Sequence, residues 1–326
     1  MGGGHMRRML KLGAALLGGL FWGLPAQADY PDRTIKLVVP FPPGGGVDLV
    51  ARLVGQGLAE ALGQPVIIEN KPGGGTLMGT DHVAKSAADG YTLVLASFAH
   101  AVNPSLQAKM PYDTAKAFQP IGLIGRSYNV LVTSPKSKLK TVGDIIKASK
   151  EKPGSLTYAS QGIGTSAHLA GELFKNLGGV DIVHVPYRGV AQALQDVLSE
   201  QVDLMWPTSA AATALINASQ FHAIASTAPA GKSPLPGVST IAEQGLPGYV
   251  VDGWYGVYAP AGTPKDIATK LNATLNSVVQ KAEFQRRVEP EGLVVTPGAP
   301  EAFDAFVQGE VVRWNKIVVE NKITMN

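Results

Sequence analysis

The sequence contains no cysteine in its 326 residues. This absence excludes disulfide scaffolds, cysteine-ligated zinc, iron–sulfur clusters and cysteine nucleophiles, and it suits an oxidising compartment in which stray thiols mispair. Charged residues are also scarce, at 16% of the chain against 45% hydrophobic residues. This composition excludes intrinsic disorder and provides for one large core or two modest ones.

The sequence also lacks a basic region. The formal net charge is +3, but Arg7, Arg8 and Lys11 lie in the first 28 positions, where no acidic residue occurs. The remainder of the chain holds 25 basic and 25 acidic residues. Because nucleic-acid binding requires an excess or a run of positive charge, we expect no DNA or RNA partner.

The N-terminus has the organisation of a secretory signal peptide. The three basic residues precede a 13-residue apolar stretch, 12–24, which is followed by Pro25, Ala26, Gln27 and Ala28. A bilayer-spanning helix needs about 20 apolar residues, so a cleaved leader is favoured over a membrane anchor. We predict cleavage after Ala28, with residues 1–28 removed and the mature protein exported to the periplasm.

Strand and helix patterns alternate along the remaining chain. Short apolar runs typical of strands occur at 35–40, 66–68, 91–96, 156–159, 182–185, 202–205 and 222–225. Helical spacing of apolar residues occurs at 50–62, 79–86, 166–177, 191–199, 264–281 and 300–319. This alternation predicts an α/β architecture with largely parallel sheets.

Two extended segments predict a division into two lobes. They span 121–132 and 250–258, and the four strand-like runs between them are enough for a separate sheet. The C-terminal part has too few strands to stand alone, so we expect it to fold back on the N-terminal sheet. The predicted lobes are therefore 29–124 with 251–326, and 125–250.

The strongest local signal is residues 40–48, PFPPGGGVD, which we call the first loop. It leads from a predicted strand through three glycines into a predicted helix. Glycines allow close approach of backbone to ligand and a helix N-terminus adds positive potential, so the segment is typical of an anion site. An ordinary turn stays as the alternative. Asp48 is interpreted most simply as a capping residue, with direct ligand contact as the alternative.

A second glycine-containing loop, residues 160–166 or SQGIGTS, also lies between a predicted strand and helix. Gly162, Gly164 and Ala167 match the dinucleotide pattern G-x-G-x-x-A. That pattern needs an acidic residue at the end of the next strand, but this strand ends in Pro186, Tyr187 and Arg188. We therefore interpret the second loop as another anion site and expect no nicotinamide or flavin cofactor.

Residues 187–189 form the third loop. Arg188 could clamp a carboxylate with two hydrogen bonds or could be a solvated loop residue. Asp203, at a predicted strand edge, could orient a water or accept a ligand donor, or could make a structural hydrogen bond.

Patterns of catalysis are missing from the sequence. Its histidines never recur at i and i+4, and it has neither a phosphate-binding P-loop nor a G-x-S-x-G nucleophile elbow. We interpret His168 as a partly buried residue in the first turn of a helix, in preference to a general base. The residues therefore predict no metal, no cofactor and no enzymatic activity.

Several motifs together resemble the solute-binding proteins of tripartite tricarboxylate transporters, the Bug family. The likeness runs in order from about residue 29 to residue 317. Its motifs are 41–45 with Asp48 and Arg52, 62–66, 69–74, 89–93, 168–172, 184–189, 242–248 and 259–264.

The resemblance implies a type 2 periplasmic binding protein fold, with a ligand cleft between two lobes joined by two crossing segments. It implies capture of a small organic carboxylate, such as a di- or tricarboxylate or an aromatic acid like terephthalate, and delivery to membrane permease subunits. A monomer is expected. The rival functions are reporting to a sensor kinase, which a neighbouring carrier gene would argue against, and an enzyme on the same fold, which turnover would reveal.

The resemblance and the loops together define the candidate ligand-binding residues. In the first lobe they are Phe41, Pro43, Gly44, Gly45, Gly46, Ser97 and His100. In the second lobe they are Ser160, Gly162, Gly164, Thr165, Ser166, Tyr187, Arg188, Gly189 and Asp203. Ser97 and His100 are implied by the resemblance alone.

Overall fold

The structure, a computed structural model, describes Met1 and residues 30–289, 292–320, 322 and 323. The predicted leader and its cleavage site lie outside these residues apart from Met1. Within the described part, no helix is both long and apolar enough to cross a membrane.

The strands form two separate sheets. The first sheet has the order β11-β4-β10-β3-β1-β2. Its strands are β1 (Ile35–Val39), β2 (Val66–Asn70), β3 (Thr92–Ser97), β4 (Phe118–Tyr128), β10 (Asp252–Pro260) and β11 (Leu293–Val295). The second sheet has the order β7-β6-β8-β5-β9. Its strands are β5 (Val130–Thr133), β6 (Leu156–Ser160), β7 (Ile182–Pro186), β8 (Leu204–Met205) and β9 (His222–Ser226).

Helices connect most of the strands. Those packed with the first sheet are α1 (Gly46–Leu62), α2 (Leu77–Ala84), α3 (Phe98–Leu106), α8 (Lys265–Gln280), α9 (Ala282–Val288) and α10 (Pro300–Glu320). The remaining four are α4 (Val142–Glu151), α5 (Ser166–Gly178), α6 (Val190–Leu198) and α7 (Ser209–Asn217). Helices α1 and α5 end at Gly63 and Gly179, both in the left-handed conformation that glycine adopts most easily.

The prediction of largely parallel sheets is wrong, because both sheets are mixed. β1 pairs in parallel with β2 and β3, and β6 with β7 and β8. β10 pairs antiparallel with β3 and β4, and β5 pairs antiparallel with β8 and β9. The three strands β4, β5 and β10 adjoin the crossings between the sheets. Each of them pairs antiparallel with its neighbours. As predicted, β10 and β11 return to the first sheet.

Two crossings connect the sheets, and Thr227 joins them. Only Asn129 separates β4 from β5, and Val251 precedes β10. The Thr227 hydroxyl accepts from the Asn129 N–H at 2.9 Å and donates to the Val251 carbonyl at 2.5 Å. Two backbone hydrogen bonds link the same three residues. The crossings are therefore fixed side by side.

A buried ionic cluster lies beside the second crossing. The fully buried Asp252 carboxylate accepts from Arg126 of β4, and Arg313 of α10 lies 3.5 Å from its other oxygen. Arg313 also pairs with Glu310, whose pKa is raised by burial and by the neighbouring Asp252. Since an unpaired buried charge is costly, the two arginines make the buried Asp252 tolerable at this position.

Candidate functional site

Four strand-to-helix connections define the candidate site. Helices α1 and α3 follow β1 and β3 in the first sheet, and α5 and α6 follow β6 and β7 in the second. β1 pairs in parallel with β3, and β6 pairs in parallel with β7. The two helices that follow each pair of strands therefore begin at the same edge of their sheet. Such edges are where open α/β sheets bind ligands, and helix N-termini favour anions.

The first loop presents main-chain N–H groups at the start of α1. Gly44 has a φ of +89°, and Gly45 caps the helix in an extended conformation. A β-carbon built on Gly44 or Gly45 would meet no atom within 4 Å, so the loop borders open space. The N–H groups of Gly45, Gly46 and Val47 have no hydrogen-bond acceptor among the described residues. We call these three groups the candidate anion seat of the first loop.

Asp48 supports the first loop from within. Its carboxylate accepts from the Gly44 N–H at 3.0 Å, from Arg52 Nε at 2.9 Å and from Asn70 Nδ2 at 2.9 Å. Burial acts to raise the pKa of Asp48, but the hydrogen bonds from Arg52, Gly44 and Asn70 outweigh it, and the pKa is lowered. Asp48 is thus a capping residue, and the Gly44 N–H is not available to a ligand.

Phe41 and Pro43 form the outer part of the first loop. The Phe41 carbonyl accepts from Asn70 Nδ2 at 3.1 Å, and its side chain is half-buried. Pro43 is exposed. Asn70, which holds both Phe41 and Asp48, was not among the predicted site residues, although an amide side chain at the end of a strand is a readable signal.

The second loop is held by its own hydrogen bonds. Gly162 has a φ of +134° and Gly164 a φ of +80°. The Gly162 N–H donates to Ser160 Oγ at 3.2 Å, and the Gly164 N–H donates to His168 Nδ1 at 3.3 Å. Thr165 caps α5 by accepting from the His168 N–H. The N–H groups of Gly162 and Gly164 are therefore both bonded to protein side chains, and the ligand role of these two glycines stays a prediction.

The remaining donors of the second loop lie at its helix end. The N–H groups of Ser166 and Ala167, in the first turn of α5, find no acceptor among the described residues. Ser166 retains 6% exposure. We call this first turn the candidate anion seat of the second loop, by analogy with the one at the start of α1.

The third loop is joined to the second. The Tyr187 N–H donates to the Ser160 carbonyl at 2.9 Å, and the Tyr187 hydroxyl donates to Asp196 Oδ2 at 2.6 Å. Gly189 caps α6, and a β-carbon there would meet nothing within 4 Å. Arg188 is exposed and has no ion-pair or hydrogen-bond partner in the described part of the chain. Its position therefore agrees with a solvated loop residue, the alternative to a carboxylate clamp.

Ser97 and His100 have different surroundings. Ser97 ends β3, caps α3 and is 7% exposed, at the same edge as the first loop. His100 lies one turn further along α3, among the rings of Tyr112, Phe118 and Tyr258, with 3% exposure. Burial lowers the pKa of His100 to about 4. His100 is therefore enclosed by aromatic side chains, and its expected ligand contact stays a prediction.

Asp203 is also placed away from the loops. Its carboxylate accepts from the Thr157 N–H at 2.8 Å and from the Thr157 hydroxyl at 2.9 Å. Thr157 is in the amino-terminal half of β6, whereas the second loop follows the carboxyl end of that strand. The structural hydrogen bond is therefore observed, and the ligand role expected for Asp203 is not supported by this position.

The second loop faces the first sheet across a narrow gap. A β-carbon built on Gly164 would lie 3.5 Å from Asn103 Oδ1, and one built on Gly75 would lie 3.9 Å from the Ile163 carbonyl. Asn103 Nδ2 donates to the Gly75 carbonyl at 2.8 Å. The two sheets thus approach each other at Asn103 and at the glycines 73–75. Sequence reasoning assigned neither to the site.

No group of three or more His, Asp or Glu side chains in the described ranges is arranged to hold a metal ion. The candidate site therefore consists of main-chain donors, hydroxyl groups and the surfaces of the loops. Such a set of groups can bind an anion.

Comparison with known proteins gives consistent results. The sequence pattern of the tripartite tricarboxylate transporter family receptors matches residues 50–323. BugT of Bordetella pertussis is 35% identical over 319 residues, which cover 97% of this chain and 98% of BugT.

Solved structures give the same relationship. The R. palustris protein Rpa4515, solved with adipate, has a TM-score of 0.86 and 35% identity, covering 91% of this chain and 99% of Rpa4515. MatC from Rhodopseudomonas palustris, solved with bound malate, has a TM-score of 0.83 and 32% identity, covering 89% of this chain and 100% of MatC.

Proposed function

The chain belongs to the tripartite tricarboxylate transporter family receptors, with the two-lobed α/β fold of periplasmic binding proteins, and from this premise we propose that it captures a small dicarboxylate. One carboxylate binds the N–H groups at the start of α1, and the other binds those at the start of α5. The bound acid is then delivered to the membrane permease subunits of the transporter.

The observation that carries this proposal is the pair of seats. Gly45, Gly46 and Val47 in the first loop, and Ser166 and Ala167 after the second, have N–H groups without acceptors among the residues described. A carboxylate provides the acceptors that these groups lack, and each helix dipole favours its negative charge. We include Ser97 and the third loop in the proposed site, because each lies where a strand passes into a helix N-terminus.

The magnitudes favour two carboxylates over one. A hydrogen bond to a charged group contributes about 1.5–3 kcal/mol, and micromolar affinity requires roughly 8 kcal/mol net. Association itself costs about 4–15 kcal/mol. Two or three charge-assisted bonds at one seat provide about 3–9 kcal/mol, less than the roughly 12 kcal/mol that is the lower limit of this demand, whereas five bonds shared between two seats provide about 7.5–15 kcal/mol and reach that limit.

The crossings support closure of the lobes around the ligand. We place the lobe boundaries where β4 passes to β5 and where the chain returns to β10, close to the predicted boundaries at 124/125 and 250/251. A ligand that contacts both lobes binds the closed state more tightly than the open state and shifts the population towards it.

The neighbours favour dicarboxylates in particular. Adipate and malate, which were bound to two structural relatives, are both aliphatic dicarboxylates that differ in length and in one hydroxyl group. An acid of this class is therefore proposed for this chain in preference to a monocarboxylate. We also propose periplasmic localisation through the predicted leader, no turnover of the bound acid, and a monomeric state.

Isothermal titration calorimetry of the mature protein tests this proposal. The ligands are adipate, malate, citrate and terephthalate, with the monomethyl ester of adipate as a matched control that removes one charge. We expect at least one dicarboxylate to bind. If adipate binds, its monomethyl ester should bind about a hundredfold more weakly. Absence of binding by all four acids, or conversion of a bound acid to a product, contradicts the proposal.

A further inference from the structure

Two histidines stack beneath the second loop. His184 of β7 and His168 of α5 have ring centroids 4.4 Å apart, with an angle of 32° between the rings. His184 also stacks on Tyr158 of β6, at 4.7 Å. The sequence pattern predicts only a partly buried residue at position 168 and indicates no role for His184.

His184 contacts the hydroxyl group that begins the loop. Its Nε2 lies 2.8 Å from Ser160 Oγ. The Ser160 hydroxyl donates to the Gly162 carbonyl at 3.1 Å, and its oxygen accepts from the Gly162 N–H. We assign the hydroxyl hydrogen to the contact with the Gly162 carbonyl, so that the Ser160 oxygen accepts from His184 Nε2. In this arrangement the neutral His184 ring carries its proton on Nε2.

His168 contacts the other end of the loop. Its Nδ1 accepts from the Gly164 N–H at 3.3 Å, which requires that Nδ1 carry no proton. The two glycines with left-handed backbone, Gly162 and Gly164, are thus each fixed through one imidazole. Their conformation determines the direction in which the following first turn of α5 points.

We propose that His168 and His184 are positioning residues for ligand capture, acting as two neutral imidazoles, each protonated at Nε2. They hold the second loop in the shape that directs the Ser166 and Ala167 N–H groups into the gap. This inference rests on the proposed function and deepens it by naming the side chains that shape one seat.

The charged groups around the rings favour the neutral forms. On α5, Lys175 pairs with both oxygens of Glu172 at 3.0 Å, and the Tyr158 hydroxyl donates to Glu172 at 2.7 Å. Glu172 is therefore already paired, and its tendency to raise the pKa of His184 is outweighed by burial, by His168 and by Lys175. Burial, aided by the mutual proximity of the rings, lowers the pKa of His184 to about 3, and burial lowers that of His168 to about 4.

Glutamine and asparagine substitutions at the two histidines test which ring nitrogen makes each contact. A glutamine amide reaches the position of Nε2 and an asparagine oxygen reaches that of Nδ1, so His184→Gln and His168→Asn preserve the two contacts, whereas His184→Asn and His168→Gln do not. In calorimetry with adipate or malate, whichever binds the wild type, we expect the mismatched pair to lose about tenfold or more in affinity. The matched pair stays within about threefold of the wild type, as does the control His222→Gln on β9.

Nitrogen-15 NMR tests the same assignment without a ligand. At neutral pH we expect Nε2–H tautomers for both histidines, and faster amide exchange of Gly162 and Gly164 in the mismatched variants than in the matched ones. An Nδ1–H tautomer or an imidazolium at either residue, or equal affinity and exchange in all four variants, overturns the inference. If the wild type binds no dicarboxylate, the proposed function fails, and the tautomers and glycine exchange rates alone confirm or refute the positioning role.

Discussion

The first loop is held by an ionic cluster, whereas the second loop is held by two neutral imidazoles. Asp48 fixes the Gly44 N–H and is paired with Arg52, while His168 and His184 fix Gly164 and, through Ser160, Gly162. Neither support leaves an unpaired charge next to its seat. The positive potential at both seats therefore comes from main-chain dipoles at the starts of α1 and α5. Two different supports, one ionic and one of neutral imidazoles, therefore shape the same kind of anion seat.

Blocking the first seat has the largest expected effect. Gly45→Leu places a side chain in open space at a residue with a φ of −92°, so the fold is retained while the seat is filled. We expect affinity for the bound dicarboxylate to fall by about a hundredfold or more. Gly309→Leu, in α10 where a β-carbon also meets nothing within 4 Å, is the control and keeps full affinity. Equal affinity of both variants would remove the first loop from the site.

Breaking the ionic support has the next largest effect. In the wild type the Asp48 carboxylate accepts hydrogen bonds from Gly44, Arg52 and Asn70. Asp48→Asn replaces one of its oxygens by an N–H₂ group, which cannot accept from these donors. We expect the free energy of unfolding, measured with urea, to fall by about 2–3 kcal/mol. The matched control is Glu151→Gln, which removes an exposed pair with Lys147 at 4.0 Å and changes stability by less than about 0.5 kcal/mol. Similar values for the two variants would show that Asp48 does not support the loop.

Acidification separates the two supports. The pKa of His168 is about 4 against an ordinary 6.5, so between these values the unfolded chain binds more protons and stability falls as pH decreases. The pKa of Asp48 is lowered from 3.8, so its contribution is lost only in stronger acid. His168→Asn should reduce the loss of unfolding free energy between pH 7 and pH 5 by about 1–2 kcal/mol. Identical pH profiles for wild type and variant would refute the buried neutral state.

The smallest effect is expected at Arg188. Its exposed side chain contacts no partner within the described residues, so Arg188→Ala should change dicarboxylate affinity by less than about threefold. The affinity of the wild type should also depend weakly on salt, since the dipoles act at short range. A loss of about tenfold in Arg188→Ala, or a steep fall in affinity with salt, would assign the anion to this arginine instead.

Much of the architecture could be predicted from local sequence signals. The glycines Gly63 and Gly179 mark helix ends, and the apolar runs at 35–40 and 156–159 mark strands that feed glycine loops. The family resemblance is confirmed, and it supplied the two-lobed fold. Helix α4 was missed although Thr141 and Asp144 form a capping box, a signal that can be read in the sequence.

Other features depend on tertiary packing. Helix α3 begins directly at the end of β3 and contains Pro104, so neither a turn nor a clean helical pattern announces it. The family resemblance implies a ligand role for His100, but the surroundings of its ring are decided by packing against Tyr112, Phe118 and Tyr258. The hydrogen bonds that occupy the Gly162 and Gly164 N–H groups likewise come from His168 and Ser160 in their folded positions. A glycine in the sequence indicates the backbone shape of a loop, but it does not indicate which group its N–H will bond to.

Amide chemical shifts during titration of the wild type with the best-binding dicarboxylate test the central claim most directly. We predict that the N–H resonances of Gly46 and Val47 in α1 and of Ser166 and Ala167 in α5 shift together and saturate at the same ligand concentration. Shifts confined to one of these helices, or centred on Arg188, would contradict a ligand held between two main-chain seats.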